Sequence, residues 1–468
     1  MSATHRIFSP LLVSLLAAYI FFGCATAPKT VEPEPEAIPE TSLEEETYRG
    51  VSYYAATGDP SAAISAFERA KREAPEDPET RVLYSSLLLA VGQFDEAESE
   101  LEAVLKENPE NINALYNLSL VQGARGENKD RESTLEEILS IDAGEPRANA
   151  SLGELYLERR EYRKAKESFR RSLESDPDSF VARLGYANAL RRTEDYQESV
   201  EQFNEAARID PDYSFVYADR ARSKLRLGNP KGAEEDLTRA IEALPDHYWH
   251  YIDRGKVRLI DLAKPSLALE DFDRAVEINP ELFYAYVYRG GILIDLGRYA
   301  EALKDLEFVI SQRPDYYPVY PDLGMLYVLA ERYLEARRLY RMSSEQDQEN
   351  PGFKLMVGAL YFVEGDAEKG TEYFRGIVNT FPRDSGAYHV ARTFVEPGYE
   401  GTALRKLKEE KQPLLKSQMF FYLGMFYITH DMSALGETLL METADANILS
   451  LRETRLAREF LKRRGVIE

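Results

Sequence analysis

This sequence predicts an all-α solenoid, in which pairs of helices stack one after another along the chain. The first observation is a fixed repeat, because prolines recur at intervals of 34 residues or close multiples of 34, with one interval of 35. The second is that apolar residues between them recur at three- and four-residue steps, the period of an amphipathic helix. The prolines are Pro75, Pro109, Pro177, Pro211, Pro245, Pro280, Pro314 and Pro382.

One repeat unit shows why two helices and a turn are expected. Gly153 and Ala165 are small residues where two helices would approach closely, and Tyr156 and Phe169 are large enough to fill the space around that contact. Pro177 cannot continue a helix and therefore closes the unit. Because one helix pair cannot bury its apolar face alone, we expect neighbouring units to stack.

The same residues carry a resemblance to a known family. One unit contains Asn149, Leu152, Gly153, Tyr156, Ala165, Phe169 and Pro177, and another contains Tyr320, Leu323, Gly324, Tyr327, Ala336 and Tyr340. This pattern resembles the tetratricopeptide repeat. The resemblance implies a superhelical solenoid of about 11–12 helix-turn-helix repeats over residues 44–446, with units starting every 34 or 35 residues.

Some units depart from the pattern. In residues 112–145, Glu132 and Glu136 stand where a small residue and an aromatic are expected, so this unit is predicted to be imperfect. The unit that starts at residue 317 runs on to Pro351, which suggests a longer second helix.

The C-terminal part departs further. The pattern degrades over residues 385–416, where Glu396, Pro397 and Gly398 interrupt it. Residues 447–468 are predicted to form a capping helix whose polar face meets water, because the end of a solenoid has no further neighbour.

Residues 1–24 are predicted to be a signal segment rather than part of the solenoid. An apolar run of about a dozen residues, too short to span a bilayer comfortably, ends at Gly23 and at Cys24, the only cysteine of the chain. This resembles a bacterial lipoprotein signal, although Phe21 and Phe22 depart from the usual lipobox. The resemblance implies lipidation of Cys24. The alternatives are an uncleaved anchor or a secretory signal in which Cys24 is incidental.

Residues 25–43 are rich in proline and glutamate and are predicted to be an extended tether. At roughly 3.1 Å per residue, such a tether reaches about 60 Å from a membrane. The expected location is therefore the bacterial cell envelope, on the periplasmic face of the outer or inner membrane, with surface exposure as an alternative.

The chain carries 58 Lys and Arg against 81 Asp and Glu, a net charge of -23. This argues against nucleic acid as a partner, because binding to phosphates needs basic patches. It also argues against docking of the folded body onto anionic lipid. The simplest interpretation of the acidity is solubility.

The family resemblance implies that the first helix of each unit lines a binding groove. Carried onto this sequence, groove position 2 is aromatic and position 6 mostly acidic in consecutive units, with a cation at position 9 in two of them. The candidate residues are Phe215, Asp219, Arg222, Trp249, Asp253, Lys256, Tyr284, Tyr288 and Asp322.

These residues predict a groove for an extended, partly basic segment of another protein, because aromatic side chains anchor interfaces and carboxylates bind Arg or Lys. The alternative is that the aromatics pack on the next unit and that Asp219 and Asp253 pair with cations of their own helices. Asn113, Asn117, Arg147 and Ser151 make only a fragment of the carboxylate clamp found in some such repeats.

No catalytic constellation, cofactor loop or metal site is predicted. His247 and His250 are three residues apart, which could seed a metal site, but no further His or Cys is near in the sequence. The C-terminal cations are expected either to interact with the dipole of their helix or to contact an acidic partner or another copy. They are Arg452, Arg455, Arg458, Lys462, Arg463 and Arg464.

The sequence thus predicts a non-enzymatic scaffold, a membrane-tethered periplasmic lipoprotein that binds other envelope proteins through its groove. One alternative is an accessory subunit that presents substrate to a cell-envelope enzyme. Another is a surface-exposed lipoprotein that binds host or matrix components. The oligomeric state is left open.

Overall fold

The computed structural model describes residues 60–73, 77–446, 448 and 450–468. These residues form 24 α-helices and no strand, which confirms the all-α class. The chain divides into two compact units, Met1–Ala243 and Leu244–Glu468. Within each unit, helices pack mainly on the next helix along the chain. The predicted signal and tether lie outside the described residues.

In the first unit, one helix is followed by five helix pairs. Their bounds are α1 Ser61–Glu73, α2 Pro78–Ala90, α3 Phe94–Glu107, α4 Ile112–Arg125, α5 Asn128–Ile141, α6 Pro146–Glu158, α7 Tyr162–Ser175, α8 Phe180–Arg192, α9 Tyr196–Ile209, α10 Ser214–Arg226 and α11 Pro230–Ala243.

In the second unit, six helix pairs are followed by one helix. Their bounds are α12 Tyr248–Lys256, α13 Pro265–Ile278, α14 Phe283–Asp295, α15 Tyr299–Gln312, α16 Tyr320–Leu329, α17 Tyr333–Gln346, α18 Pro351–Val363, α19 Ala367–Ile377, α20 Gly386–Thr393, α21 Glu400–Lys408, α22 Pro413–Thr429, α23 Ser433–Asp445 and α24 Arg452–Arg463. Five and six pairs make eleven, in agreement with the predicted number of repeats.

Local chemistry sets where the helices begin and end. The side chain of Asn111 accepts a hydrogen bond from the backbone N–H of Ala114 at 3.0 Å, which caps α4, and Asn350 caps α18 in the same manner. The turn after most first helices contains a residue with a positive φ, a conformation that glycine adopts without strain. Gly126 provides it after α4, with φ 79°.

Close approach of neighbouring helices explains the small residues of the repeat. Phe169 on α7 has no exposed surface. A Cβ atom added to Gly153 on α6 would lie 2.8 Å from its ring, and one added to Gly185 on α8 would lie 2.3 Å from it. The aromatic ring is therefore held between two glycines, as expected for Gly153, and the matching role of Gly185 was not predicted.

The imperfect unit over residues 112–145 still forms a regular pair, α4 and α5. Leu135 and Ile138 have no exposed surface and fill the core there. Glu132 faces the neighbouring repeat, where it accepts a hydrogen bond from Arg159. The placement predicted for Glu132 and Glu136 is therefore wrong by one residue. Arg131 and Leu135 occupy the places of Ala165 and Phe169, and the helix pair is kept.

The longer second helix predicted for the unit at residue 317 is wrong. Helix α17 has 14 residues and ends at Gln346, like most second helices of the chain. Asp347 is extended, and the side chain of Asn350 caps the next helix. The turn therefore lacks a proline but keeps its usual place.

The C-terminal elements are less regular. Helices α20 and α21 are short, with 8 and 9 residues, and Gly398 with φ 83° lies in the turn between them. Helix α24 is amphipathic: its apolar side is buried, its charged residues from Arg452 to Glu459 are mostly half-buried, and Lys462 and Arg463 are exposed. It packs on α23, α22 and α16 of the second unit.

Candidate protein-binding surface

In the first unit, three candidate residues lie on helix α10. The side chain of Phe215 is 39 % exposed, and its ring centroid is 5.5 Å from that of Tyr213. Arg222 Nη1 donates to Asp219 Oδ1 at 2.6 Å, and Arg191 Nη2 is 3.8 Å from the same oxygen. Asp219 therefore pairs with a cation of its own helix, which was the alternative weighed for this position.

In the second unit, large aromatic side chains are exposed on successive first helices. Trp249 on α12 is 40 % exposed and Tyr284 on α14 is 43 % exposed. The ring of Tyr316 meets Tyr284 edge-on, with 6.4 Å between centroids. Tyr317, at the start of the following repeat, is also exposed and was not among the candidates.

The polar candidates of the second unit lie beside these aromatics. Lys256 Nζ is 6.0 Å from the ring centroid of Tyr288, a distance at which a cation is attracted to the ring face. The ring of Tyr288 also stacks on the buried Phe272, with centroids 5.1 Å apart, so it contributes to repeat packing. Burial lowers the pKa of His247, and the carboxylate of Asp253 opposes this shift.

Asp322 on α16 binds a cation of the same unit. Arg452 Nε on α24 donates to Asp322 Oδ1 at 2.6 Å. Burial lowers the pKa of the Arg452 guanidinium, but the adjacent carboxylate outweighs this and the net shift is upward. The basic cluster of α24 therefore contacts acidic residues of the chain's own repeats, a result that neither the dipole nor the partner interpretation predicted.

The fragment of a carboxylate clamp is occupied by contacts within the first unit. Arg147 Nη2 donates to Asn113 Oδ1 at 3.0 Å. Asn117 Nδ2 donates to Ser86 Oγ at 2.7 Å, and Ser151 Oγ is 3.4 Å from the hydroxyl of Tyr116. These side chains connect neighbouring repeats.

The two adjacent histidines, His247 and His250, have ring centroids 4.3 Å apart. Across the described ranges, no group of three or more His, Cys, Asp and Glu side chains is placed to hold a metal ion. No helix in the described part of the chain is both long and apolar enough to cross a membrane.

The structure also shows what the repeated tyrosines do, which the sequence did not predict. Tyr251 Oη donates to the backbone oxygen of Pro245 at 3.0 Å, and Tyr286 Oη donates to that of Pro280 at 3.0 Å. The same hydrogen bond, from a tyrosine hydroxyl to the backbone oxygen of the proline six residues earlier, occurs between Tyr217 and Pro211 in the first unit. Each bond ties the start of a first helix to the proline turn before it, so these tyrosines are structural.

Comparison with protein families identifies the repeat. A family model described as tetratricopeptide repeat matches residues 54–120 and 293–360. A second model of the same description matches residues 151–214 and 257–316. Together the two models cover about half of the chain, in both units. No curated protein matches this sequence.

Solved structures are similar to parts of the chain. A tetratricopeptide repeat protein from Parabacteroides merdae is 22 % identical, with a TM-score of 0.38, over 54 % of this chain and 99 % of that one. PilF of Pseudomonas aeruginosa is 18 % identical, with a TM-score of 0.39, over 44 % and 94 %. YrrB, described as having an unusual peptide-binding site, is 21 % identical, with a TM-score of 0.35, over 40 % and 97 %.

Proposed function

Because this chain belongs to the tetratricopeptide repeat family, whose members typically act as protein-interaction scaffolds, we propose that it is a non-enzymatic scaffold tethered to a bacterial membrane. Its partners are other proteins of the cell envelope, and it acts on the periplasmic side. One observation carries the proposal: Trp249 and Tyr284 are exposed at equivalent positions of successive first helices.

The chemistry of this surface favours a particular kind of partner. Large aromatic rings provide apolar area with few rotatable bonds, so they anchor interfaces efficiently. Asp253 lies on the same helix as Trp249, one helical turn further on. An extended partner segment that carries Tyr or Pro could pack on the rings, and one that carries Arg or Lys could also contact the carboxylate.

The membrane tether is proposed from the sequence. Cys24 follows an apolar run of signal-peptide length, and an acidic, proline-rich stretch separates it from the repeats. Protease treatment of intact cells separates the periplasmic proposal from surface exposure. A periplasmic protein is protected until the outer membrane is opened, whereas a surface protein is cleaved at once.

The test of the scaffold function is affinity recovery from mildly solubilised native membranes. Wild type is compared with Phe215→Ala/Trp249→Ala/Tyr284→Ala and with a control, Leu267→Ala/Leu334→Ala/Leu435→Ala, which removes exposed apolar side chains from second helices. We expect a defined set of envelope proteins with wild type and the control, and its loss with the aromatic variant. Recovery that is unchanged in a folded aromatic variant would contradict the proposed surface.

A further inference from the structure

Helix α24 packs against the repeats that precede it. From Leu451 to Leu461 every side chain is buried or half-buried, although seven of the 12 residues of α24 are charged. Leu456, Ala457 and Leu461 have no exposed surface, and Phe460 stacks on Phe421 of α22 with centroids 6.3 Å apart. Helix α24 is therefore held to the preceding repeats by an apolar side and also by half-buried charged residues.

Three cations of α24 bind carboxylates on or next to first helices. Arg452 binds Asp322 on α16. Arg455 Nη2 is 2.6 Å from Asp295 Oδ1 at the end of α14, and Arg463 Nη1 is 3.3 Å from Glu331 Oε1, just after α16. The contacted carboxylates come from two successive repeats. The surface therefore favours a helix whose cations have the same spacing as those of α24.

A buried carboxylate fixes the register of α24. Glu453 Oε1 accepts from Gln418 Nε2 at 2.9 Å and lies 2.7 Å from Tyr422 Oη on α22. The same tyrosine oxygen is 2.8 Å from the backbone oxygen of Gly352 on α18. Since the two donors, Gln418 and Tyr422, lie beneath the helix, a helix docked here needs a hydrogen-bond acceptor at this position, and Glu453 provides it.

The docked position of α24 also has an energetic cost, because it buries polar groups without hydrogen bonds. Tyr340 Oη and Thr454 Oγ1 are buried without a hydrogen-bond partner among the described residues. Tyr340 is close to Glu453 and Arg452, and Thr454 is on α24 itself. A buried hydroxyl without a partner disfavours the docked state, because water satisfies it when the helix leaves. The ion pairs with Asp295 and Glu331 are exposed and contribute more to specificity than to affinity.

We propose that this surface, defined by Asp295, Asp322, Glu331 and Tyr422, is a binding site for a basic amphipathic helix of a partner protein, which enters by displacing α24. The partner helix presents cations at the places of Arg452, Arg455 and Arg463, a carboxylate after the first of them, and an apolar stripe. Helix α24 is then a weak competitor within the chain. The inference rests on the proposed function only in that the partner is a protein, since it uses neither Trp249 nor Tyr284.

The first test uses the unmodified full-length chain. A synthetic peptide with the sequence of residues 450–466 is added, and amide hydrogen exchange is followed by mass spectrometry. We expect α24 to exchange at least about tenfold faster than α22 without peptide, and faster still at saturating peptide. Amides of α24 that exchange only together with those of α22, with or without peptide, would overturn the proposal, because the helix would then be an integral part of the repeat core.

The second test loosens α24 in the full-length chain. In Arg452→Ala/Arg455→Ala/Arg463→Ala, a larger fraction of the surface is open, so the labelled peptide should bind at least about tenfold more tightly than to wild type. Adding Asp295→Asn/Asp322→Asn/Glu331→Gln should abolish that gain. A folded triple-alanine variant that binds the peptide no better than wild type does would contradict the inference.

Two further outcomes are distinguishable. A basic amphipathic helix also suits an anionic membrane surface. If α24 of the wild-type chain binds vesicles of phosphatidylglycerol and phosphatidylethanolamine, while the peptide fails to bind the loosened variant, the protein-partner proposal is wrong. If the Phe215, Trp249 and Tyr284 variant still recovers the same partners, the proposed aromatic surface is wrong, but the proposal for the α24 site is unaffected. The two proposals can therefore fail separately.

Discussion

At the residue scale, three repeats contain a Tyr, an Arg and an Asp whose side chains are in contact in the structure. Arg289 donates through two nitrogens to Asp305, both at 2.7 Å, and its guanidinium is 5.0 Å from the ring centroid of Tyr286. Tyr286 in turn bonds the backbone of Pro280. The same group recurs as Tyr217, Arg220 and Asp236 in the first unit and as Tyr251, Arg254 and Asp271 in the second.

This buried pair allows a sharp stability prediction. Arg289→Met leaves the buried Asp305 carboxylate without its main partner, so we expect the free energy of unfolding to fall by about 3–5 kcal/mol. The double variant Arg289→Met/Asp305→Leu removes both charges and should recover to within about 1 kcal/mol of wild type. Denaturant unfolding followed by far-UV circular dichroism measures both values.

A surface pair serves as the control. Arg298 and Glu301 form an ion pair one turn apart in which the Arg298 side chain is 46 % exposed. Arg298→Met should change the free energy of unfolding by less than about 0.5 kcal/mol. If Arg289→Met/Asp305→Leu loses as much free energy of unfolding as Arg289→Met alone, the charge interpretation is wrong. Arg289 would then stabilise the protein by its packing rather than by neutralising Asp305.

The sequence did not predict this group. Arg254 and Arg289 stand where the repeat pattern has the leucine represented by Leu152, and their partners are 17 and 16 residues away. No helical spacing links such positions, so the pairing depends on how two helices pack against each other. Asp322 shows the same limit, because its cation Arg452 is 130 residues away in the chain.

At the element scale, the one 35-residue step of the proline ladder has a structural counterpart. It falls between Pro245 and Pro280, and in that repeat helix α12 continues as a π-helical turn over Val257–Asp261. A π turn absorbs one extra residue within a helix. The extra residue therefore widens the first helix locally, and α13 keeps the usual length of 14 residues.

Deletion of Ile260 tests this interpretation. Its side chain is 65 % exposed, so its removal takes little apolar surface out of the core. We expect the helix to continue as an α-helix with the 34-residue step restored, and the thermal midpoint to change by no more than a few degrees. Differential scanning calorimetry gives the midpoint.

Deletion of Gly291 is the matched control, because it lies in α14, where the step is already 34 residues. It would rotate the buried Ile292, Leu293 and Ile294 away from the core, at a cost of several kcal/mol. Equal losses from both deletions would show that the π turn is required by the fold rather than tolerated by it.

Most helices were predictable because the starts of equivalent helices are separated by the repeat period. The length of α17 was mispredicted, since proline was taken as the turn signal and this turn uses Asp347 and Asn350 instead. The packing of α24 on α16, α22 and α23 was not predictable. The pattern of cations and apolar residues in α24 predicts one polar and one apolar side, but it does not show that Asp295 and Asp322 bind those cations or that Tyr422 contacts Glu453.

At the scale of the whole molecule, the repeats and the leading segment differ in composition and in the functions that we propose for them. The repeats provide exposed aromatics on first helices and a seated basic helix. The leading segment provides the only cysteine of the chain, at position 24, and an acidic stretch after it. In the proposed tether, glutamates of that stretch would be repelled by an anionic membrane and would keep the repeats away from the lipid.

Substitution of Cys24 tests the tether. Because the chain has one cysteine, a lipid on a cysteine side chain can be attached only there. Wild type should incorporate labelled palmitate and sediment with membranes, whereas Cys24→Ala should do neither while its repeats keep the same circular dichroism spectrum. The variant Phe21→Leu/Phe22→Ala, which restores the usual lipobox, should increase the processed fraction. A Cys24→Ala protein that still sediments with membranes after high-salt washing would show that the apolar segment itself, rather than a lipid, anchors the chain.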